Sequence, residues 1–316
     1  MRPDPEGCCL RRIADRLGAF AQILRGLVET MPINKRENRG YNPILHARSK
    51  NYFWKGKGAL SIKTFKNGRA FYHAGRGHFA VEEGNYLLLN HGQEYSITIE
   101  SDVPVESFCI FFPERMVEEV YRSIMTSDEQ LLDDPAVPKQ MSVDFVEKTY
   151  HDHWLTASLF QIKSEYADPQ RDAAWLEEKL CELAHGLLKV HRQVHQEMLK
   201  LQSLKTSTRE ELYKRIHMGH EFLSAYFDQS LTLTDAARAA CLSPNHFLRS
   251  YKQLFGMSPY QYLVRRRLQE SKRLLLQTDW PITDICLSVG FQSPSTFSSL
   301  FSKRFSMTPS QFRQKR

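Results

Sequence analysis

The segments SPNHFLRSYKQLFGMSPYQYL (Ser243–Leu263) and SPSTFSSLFSKRFSMTPSQFR (Ser293–Arg313) repeat one pattern fifty residues apart. In register, Phe247 matches Phe297, Tyr251 matches Phe301 and Phe255 matches Phe305. Met257-Ser258-Pro259 matches Met307-Thr308-Pro309, and Gln261-Tyr262 matches Gln311-Phe312. Upstream, Thr234-Asp235 matches Thr283-Asp284 at an offset of 49, so the second copy holds one extra residue in its turn. Each copy reads as a capped helix (LTDAARAAC; ITDICLSVG), a short turn, and a second helix opened by Ser-Pro. Serine at that place accepts a bond from a free helical N–H, and proline next to it gives up an N–H that had no partner anyway. Gly290 can take the left-handed conformation that stops a helix sharply. Two short helices about a tight turn form a helix-turn-helix unit. One such pattern is weak evidence, because any helical hairpin can imitate it; two in register are much stronger.

Between the copies lies SPYQYLVRRRLQESKRLLLQ, with Tyr260, Leu263, Leu268, Leu274 and Leu275 among its apolar positions. Thr278-Asp279-Trp280-Pro281 interrupts the pattern. A single helix of roughly 19 residues would be about 28 Å long, close to the ~34 Å that separates successive major-groove segments on one face of DNA. Charge points the same way. From Arg209 to Arg316 there are 16 Lys and Arg against 8 Asp and Glu, whereas the first 208 residues hold 27 against 28. The net charge of +7 therefore belongs to the last third. An excess of that kind suits an anionic polymer or surface, and equally a solvated basic face; the repeat favours the polymer.

Residues 209–316 resemble the DNA-binding domain of AraC/XylS-family transcription regulators, through LSPNHFLRSYKQLFGMSPYQYL and the more diagnostic ITDICLSVGFQSPSTFSSLFSKRFSMTPSQFR. Two positions depart from the family pattern: Ser306 stands where glycine is usual, and Cys286 where a small alanine is common. The resemblance implies a bacterial, cytoplasmic, nucleoid-associated regulator, commonly an activator, with double-stranded DNA and RNA polymerase as partners. Phe247, Tyr251, Leu254 and Phe255, and likewise Phe297, Leu300, Phe301 and Phe305, recur at helical spacing and are assigned to the core. The opposite face of the first reading helix offers Asn245, Leu248, Arg249 and Lys252, with Ser243 and His246 at its start. Asparagine suits adenine, arginine suits guanine and leucine can meet a thymine methyl. Family matching places base contact at Asn245, Leu248 and Arg249. The second helix offers Ser293, Ser295, Thr296, Ser298, Ser299 and Lys303, whose short hydroxyls fit phosphate contact better than bidentate recognition. The first helix is thus expected to give most of the specificity and the second to add affinity. Lys303, Arg304 and Arg313 are candidate phosphate neutralisers.

From about Asn51 to Phe112 the segments ALSIKTF, RAFYH, HFAV, NYLLLN, YSITIE and ESFCIFF read as short strands between turn residues. Many short strands of this kind suggest a sandwich or small barrel. These residues resemble, less specifically, the cupin-like sensor half of the same regulators. A metal-binding cupin pairs two histidines two residues apart with a further histidine in a second motif; here His73 and His78 are five apart. The Gly84 and Gly92 framework is present, but Tyr95 stands at the expected histidine and Asn90 at the expected proline. The ligand set is broken, so no metal, cofactor or catalytic residue is assigned. His73, His78 and Tyr95 are candidates to line a pocket for an unknown small-molecule effector. The rival classes are a small-molecule cupin enzyme fused to a DNA-binding domain, and a constitutive repressor or architectural DNA-binder without a ligand.

Pro113 opens an amphipathic helix bearing Met116, Val117, Val120, Tyr121 and Ile124, and further helices are expected near 152–166 and 169–202. The last carries Leu176, Leu180, Leu183, Leu187, Val190, Val194, Met198 and Leu201, close to a heptad seam. That stripe suits a homodimer through helix 170–201 or packing on its own domain. Gln202–Glu210 is polar and reads as a linker. The six cysteines show no metal-site spacing, which favours a reducing compartment. No apolar run approaches a membrane span, so no membrane partner is expected. Leu10, Ile13, Leu17, Phe20, Leu24 and Leu27 describe a short amphipathic helix, and Met31 offers a second start for translation. The expected fold is α+β in two domains: an N-terminal cupin-like β-barrel with a helical appendix, and a C-terminal all-α domain with two helix-turn-helix motifs joined by a long helix. The expected bounds are 1–40 for an N-terminal extension, 41–201 for the sensor and dimerisation domain, 202–210 for the linker and 211–316 for the DNA-binding domain.

Overall fold

Alternating side chains make the first half a curved antiparallel sheet. The structure, a computed structural model, describes residues 43–127, 130, 141–168, 170–202 and 205–315. The expected helix in 1–30 lies outside them. The strands are β1 (Ile44–Lys57), β2 (Ser61–Lys66), β3 (Arg69–Ala74), β4 (Gly77–Glu82), β5 (Tyr86–Leu89), β6 (Glu94–Phe111) and β7 (Thr149–Tyr150). Their order is β4-β3-β6-β2-β5-β7, with β1 also paired to β6, and β4 approaches β5 to bring the sheet nearly into a barrel. The period of two sends Phe65, Tyr72, Phe79, Leu87, Tyr95 and Ile97 into the barrel's interior core. Ile62, Tyr86, Leu88, Phe108 and Ile110 point the other way and join a second core.

Two strand expectations change. YSITIE and ESFCIFF are one strand, β6, rather than two. Pro104 sits where the register with β1 slips, Ser49 facing Val105 but Asn51 facing Glu100, so the missing N–H falls in a bulge. Strand β1 begins at Ile44, before the expected Asn51, because it contributes mainly backbone bonds: most of its side chains face solvent.

The helical appendix comprises α1 (Met116–Met125), α2 (His153–Glu165) and α3 (Ala173–Met198). Asp152 and Asp172 cap α2 and α3 by accepting from the backbone N–H of Leu155 and Trp175. Of the heptad stripe, Leu180, Leu183, Leu187, Val194, Met198 and Leu201 are buried within the chain's own core, and Leu176 and Val190 pack at its edge. The stripe expected to pair two chains or to pack at home does the latter. Helix α4 (Thr206–Ala225) starts inside the run expected as a linker, so the residues from Thr206 to Glu210 are helical.

The repeat then unfolds as α5 (Leu233–Ala239), α6 (Pro244–Phe255), α7 (Pro259–Gln277), α8 (Ile282–Ser288), α9 (Pro294–Phe305) and α10 (Pro309–Arg313). The turn between α5 and α6 spans 240–243, and that between α8 and α9 spans 289–293, which locates the extra residue. Ser258 and Thr308 open α7 and α10 with the same reciprocal cap, each paired with the glutamine three residues on. Phe247, Tyr251 and Leu254 belong to the core that runs through α3 and α4 to the outer face of the barrel. Phe297 and Phe301 belong to a separate core with Phe227, Leu263, Leu268 and Leu275.

Candidate nucleic-acid interface

Helices α6 and α9 each turn an aromatic stripe inward and a polar face outward. Phe247, Tyr251, Phe297 and Phe301 are fully buried, and Phe255, Leu300 and Phe305 are half-buried, as the helical spacing requires. On α6, Asn245, Arg249 and Lys252 are exposed, while His246 and Leu248 are half-buried. On α9, Ser295, Thr296, Ser299 and Lys303 are exposed and Ser298 is half-buried. The structure thus groups the sequence-assigned residues of each helix on one open face.

Ser243 and Ser293 have a defined local task. Ser243 Oγ accepts from His246 N at 3.4 Å, and Ser293 Oγ accepts from Thr296 N at 3.4 Å while lying 2.8 Å from Ser295 Oγ. Their hydroxyls start the reading helices. Arg313 differs from the expectation: it is half-buried and its Nη2 donates to the Trp280 carbonyl at 2.5 Å, which ties α10 to the connector between α7 and α8. Among the described residues, Arg249, Lys252, Lys303 and Arg304 are exposed and form no ion pair with a carboxylate, so their charge faces solvent.

Other arginines of the basic third are engaged internally. Arg266 pairs with Glu82 on β4 and approaches Glu270 at 3.7 Å; Arg69 on β3 reaches Glu82 at 3.6 Å and Glu270 at 3.8 Å. The Phe227 ring lies 4.5 Å from Arg266 and 5.0 Å from Arg69. Glu270 is buried, which pushes its carboxyl up, but the hydrogen bond from Arg273 and the surrounding guanidinium charges outweigh this and leave it below the usual range. Arg267 donates to the carbonyls of Phe227 and Gln229 at 2.7 Å each. These ties join the long helix to the barrel and to the loop after α4, and nothing in the local sequence pattern singled them out.

The three effector candidates do not converge. Tyr95 faces the barrel interior, 4.9 Å from the Trp54 ring and 5.8 Å from Tyr72. His73 is exposed, and His78 faces away from the interior, its Nδ1 3.0 Å from the Tyr226 hydroxyl at the end of α4. The two histidines meet each other edge-on at 4.4 Å because β3 and β4 pair them directly. A residue the sequence reading passed over lies inside instead: Lys63, 2% exposed, with its ammonium 3.8 Å from the Phe111 ring centre and 5.5 Å from that of Tyr95. Burial lowers its pKa to about 8. The alternation shared with Phe65 was the signal that could have placed it there. Among the described residues, no three His, Cys, Asp or Glu side chains are arranged to hold a metal ion, and no helix is long and apolar enough to cross a membrane.

Comparison with known proteins accounts for both halves. Residues 44–209, just over half of the chain, match the family model of the AraC-like ligand binding domain, and residues 236–315 match that of a helix-turn-helix domain. The melibiose operon regulatory protein of Escherichia coli (strain K12) is 34% identical over 93 residues, 29% of this chain and 31% of that protein. The HTH-type transcriptional activator RhaS of Enterobacter sp. (strain 638) is 34% identical over 102 residues, 32% of this chain and 37% of the relative. The chain thus spans about a third of the length of these relatives. An uncharacterized HTH-type transcriptional regulator of Bacillus subtilis (strain 168), YisR, is 24% identical over 289 residues, covering 86% of this chain and 94% of the relative. With the ligand-binding half and the repeated helical half each accounted for, the chain belongs to the AraC/XylS family of transcription regulators.

Proposed function

We propose that this protein is a sequence-specific transcription regulator, acting as an activator, in which one chain reads two adjacent major-groove segments. The observation that carries the proposal is the duplicated amphipathicity of α6 and α9: the same aromatic positions are buried in both, and the polar faces are open. Helix α7, 19 residues long, is the spacer, about 28 Å at the usual helical rise. Asn245, Leu248 and Arg249 read bases, with Lys252 on a phosphate; Ser295, Thr296, Ser298 and Ser299 meet the backbone, with Lys303 and Arg304 as its counter-charges. The regulatory names of the relatives matched over the helical half support activation, with RNA polymerase as the further partner.

Residues 41–201 act as the sensor, and the interior around Lys63 and Tyr95 receives the effector. An effector can shift DNA affinity only to the extent that it binds the active and inactive arrangements differently. Because α3 spends its leucine stripe within its own chain, the reading needs no second copy. The enzyme reading is disfavoured by the departures of Asn90 and Tyr95 from the cupin ligand pattern, and the architectural reading by the ligand-binding family match over 44–209. The test is selection of bound duplexes from a random library by the full chain in dilute salt. Recovery of a site with two conserved blocks about one helical turn apart is expected; absence of any sequence enrichment would sink the proposal.

A further inference from the structure

The hairpin of β3 and β4 reaches from the sensor onto the DNA-binding half and touches it along its length. At its root, Glu82 pairs with Arg266 of α7, and Arg69 lies 3.8 Å from Glu270. Midway, His78 Nδ1 is 3.0 Å from the Tyr226 hydroxyl, and its ring meets Phe222 of α4 edge-on. At its tip, Arg76 Nη1 lies 3.2 Å from Cys241 Sγ, in the turn between α5 and α6. Ala74 pairs with Gly77, so Gly75 and Arg76 alone make the loop, with Gly75 at φ 56° in left-handed backbone that glycine tolerates. A short loop on a hairpin pinned at root and middle leaves Arg76 little room to wander.

The arginines that tie this fold together face oxygen. Arg266 meets a carboxylate, and Arg267 and Arg313 meet backbone carbonyls. Arg76 is exposed, and among the described residues its guanidinium meets no carboxylate and no carbonyl, only the thiol sulfur. Sulfur is a weak acceptor, so most of the N–H donors stay uncommitted. Cys241 stands just before Leu242 and Ser243, the cap of α6, no more than about 7 Å from that cap along the chain. From Cys241 through Asn245 the chain is exposed apart from half-buried Leu242. In a helix-turn-helix unit the start of the reading helix enters the major groove, so the turn before it comes up to the phosphates that wall the groove. Arg215 of α4 also reaches this turn, 3.5 Å from the Cys241 carbonyl, but it holds Glu211 at 2.7 Å; Arg238 of α5 lies 3.8 Å from Asp235. Each carboxylate there has its own arginine, and Arg76 is the cation left over.

We propose that Arg76, a residue of the sensor, binds a phosphate of the duplex beside the segment read by α6, so that both halves of the chain hold the DNA. The planar guanidinium fork suits phosphate oxygens, which carry no sequence information. The contact continues the reading face of α6 and takes its ligand, double-stranded DNA, from the regulator reading, on which it rests. It adds affinity at the first reader without changing which bases are preferred. It also requires the hairpin to stay docked on α4 and α7 while DNA is bound.

The test uses the full chain, the duplex recovered by selection, and copies of that duplex in which one phosphate at a time around the first block is replaced by an uncharged methylphosphonate. Arg76→Gln is expected to weaken binding roughly tenfold in dilute salt, the scale of one charge-assisted hydrogen bond. It should make the dependence of log affinity on log salt shallower by about 1 and leave the order of preference among single-base variants unchanged. Arg76→Lys keeps the charge and is expected to keep the slope. At one phosphate position, neutralisation should cost the natural chain about as much as the substitution does and cost Arg76→Gln little more. The proposal is overturned if Arg76→Gln matches the natural chain in affinity and slope. It is overturned equally if the two chains respond alike at every methylphosphonate position, since Arg76 would then act only through the fold of the reader. A natural chain that binds no duplex would sink the regulator reading and this contact with it, whereas a natural chain that binds and an indifferent Arg76→Gln sink this contact alone.

Discussion

Ser306 closes α9 at φ 58°, in the place, fifty residues on, where Gly256 closes α6 at φ 69°. The mirror pair is Cys241 at φ 52° and Gly290 at φ 89°, one in each inter-helix turn. Each copy of the motif therefore keeps one glycine and forces one ordinary residue into left-handed backbone.

Relieving that backbone should stabilise the fold. Ser306→Gly is expected to raise unfolding free energy by about 0.5–1 kcal/mol, the left-handed penalty offset partly by glycine's extra freedom when unfolded. Gly256→Ala should lose a similar amount, since nothing lies within 4 Å of the added Cβ. Gly290→Ala should lose more, because its Cβ would meet the Asp228 carbonyl oxygen at 2.6 Å. Urea denaturation of the three variants gives the order; equal losses at the two glycines would refute the steric argument.

Arg249 and Lys303 should fail in different ways. Arg249→Ala is expected to cost about 1–3 kcal/mol of discrimination at one base pair and relax preference there. Lys303→Ala should weaken all duplexes alike and make the dependence of log affinity on log salt shallower by about 1. Affinities for the selected site and its single-base variants, at several salt concentrations, separate the two patterns.

Burial raises the Glu221 carboxyl to about 7. A carboxyl whose folded pKa lies above its unfolded value stabilises fully below the unfolded value, and that contribution is lost as pH rises toward the folded one. Between about pH 4.5 and 7, stability therefore falls with pH on account of this group, by no more than about 3 kcal/mol. The depressed His217 and His220 act in the opposite direction, so the difference between the natural chain and Glu221→Gln is the quantity to measure. The variant should gain relative stability as pH rises through this window; a constant difference would show that Glu221 is ionised throughout.

Lys63 carries the opposite sign. Its folded pKa of about 8 lies below its unfolded value of 10.5, so the cost of charging it is fully present below pH 8 and disappears as pH rises to 10.5. Lys63→Met is expected to be more stable at pH 7, by up to about 3 kcal/mol, and to lack this rise in stability at alkaline pH. Thermal unfolding from pH 7 to 10.5 checks both expectations. The same variant should no longer respond to an effector held in the barrel.

The helical half was legible because its signals are local. Ser-Pro pairs marked where α6 and α9 begin, and the roughly 19-residue run before Thr278 matched α7. The barrel was legible as strands but not as a pairing pattern, since a long edge strand such as β1 buries few side chains and leaves little period to read. Arg266 and Glu82 are 184 residues apart, and no periodicity links them. His73 and His78 looked like pocket residues by type, yet alternation from Tyr72 and Phe79 already sent them outward. The polar run before Arg209 resembled a linker because composition registers solvent exposure, which the first turns of a surface helix share.

The two apolar cores divide the duplicated motif unequally. Cutting the chain near residue 205 would strip Tyr213 of Lys148 and Glu197, and Gln253, on α6, of the Lys200 carbonyl, while Phe297 and Phe301 would keep the core they share with Phe227, Leu263, Leu268 and Leu275. The first reader is thus anchored in the sensing machinery and the second is largely self-supporting. Evolution of new binding sites has a freer hand with the second, and any signal from upstream has its shortest mechanical path through the first.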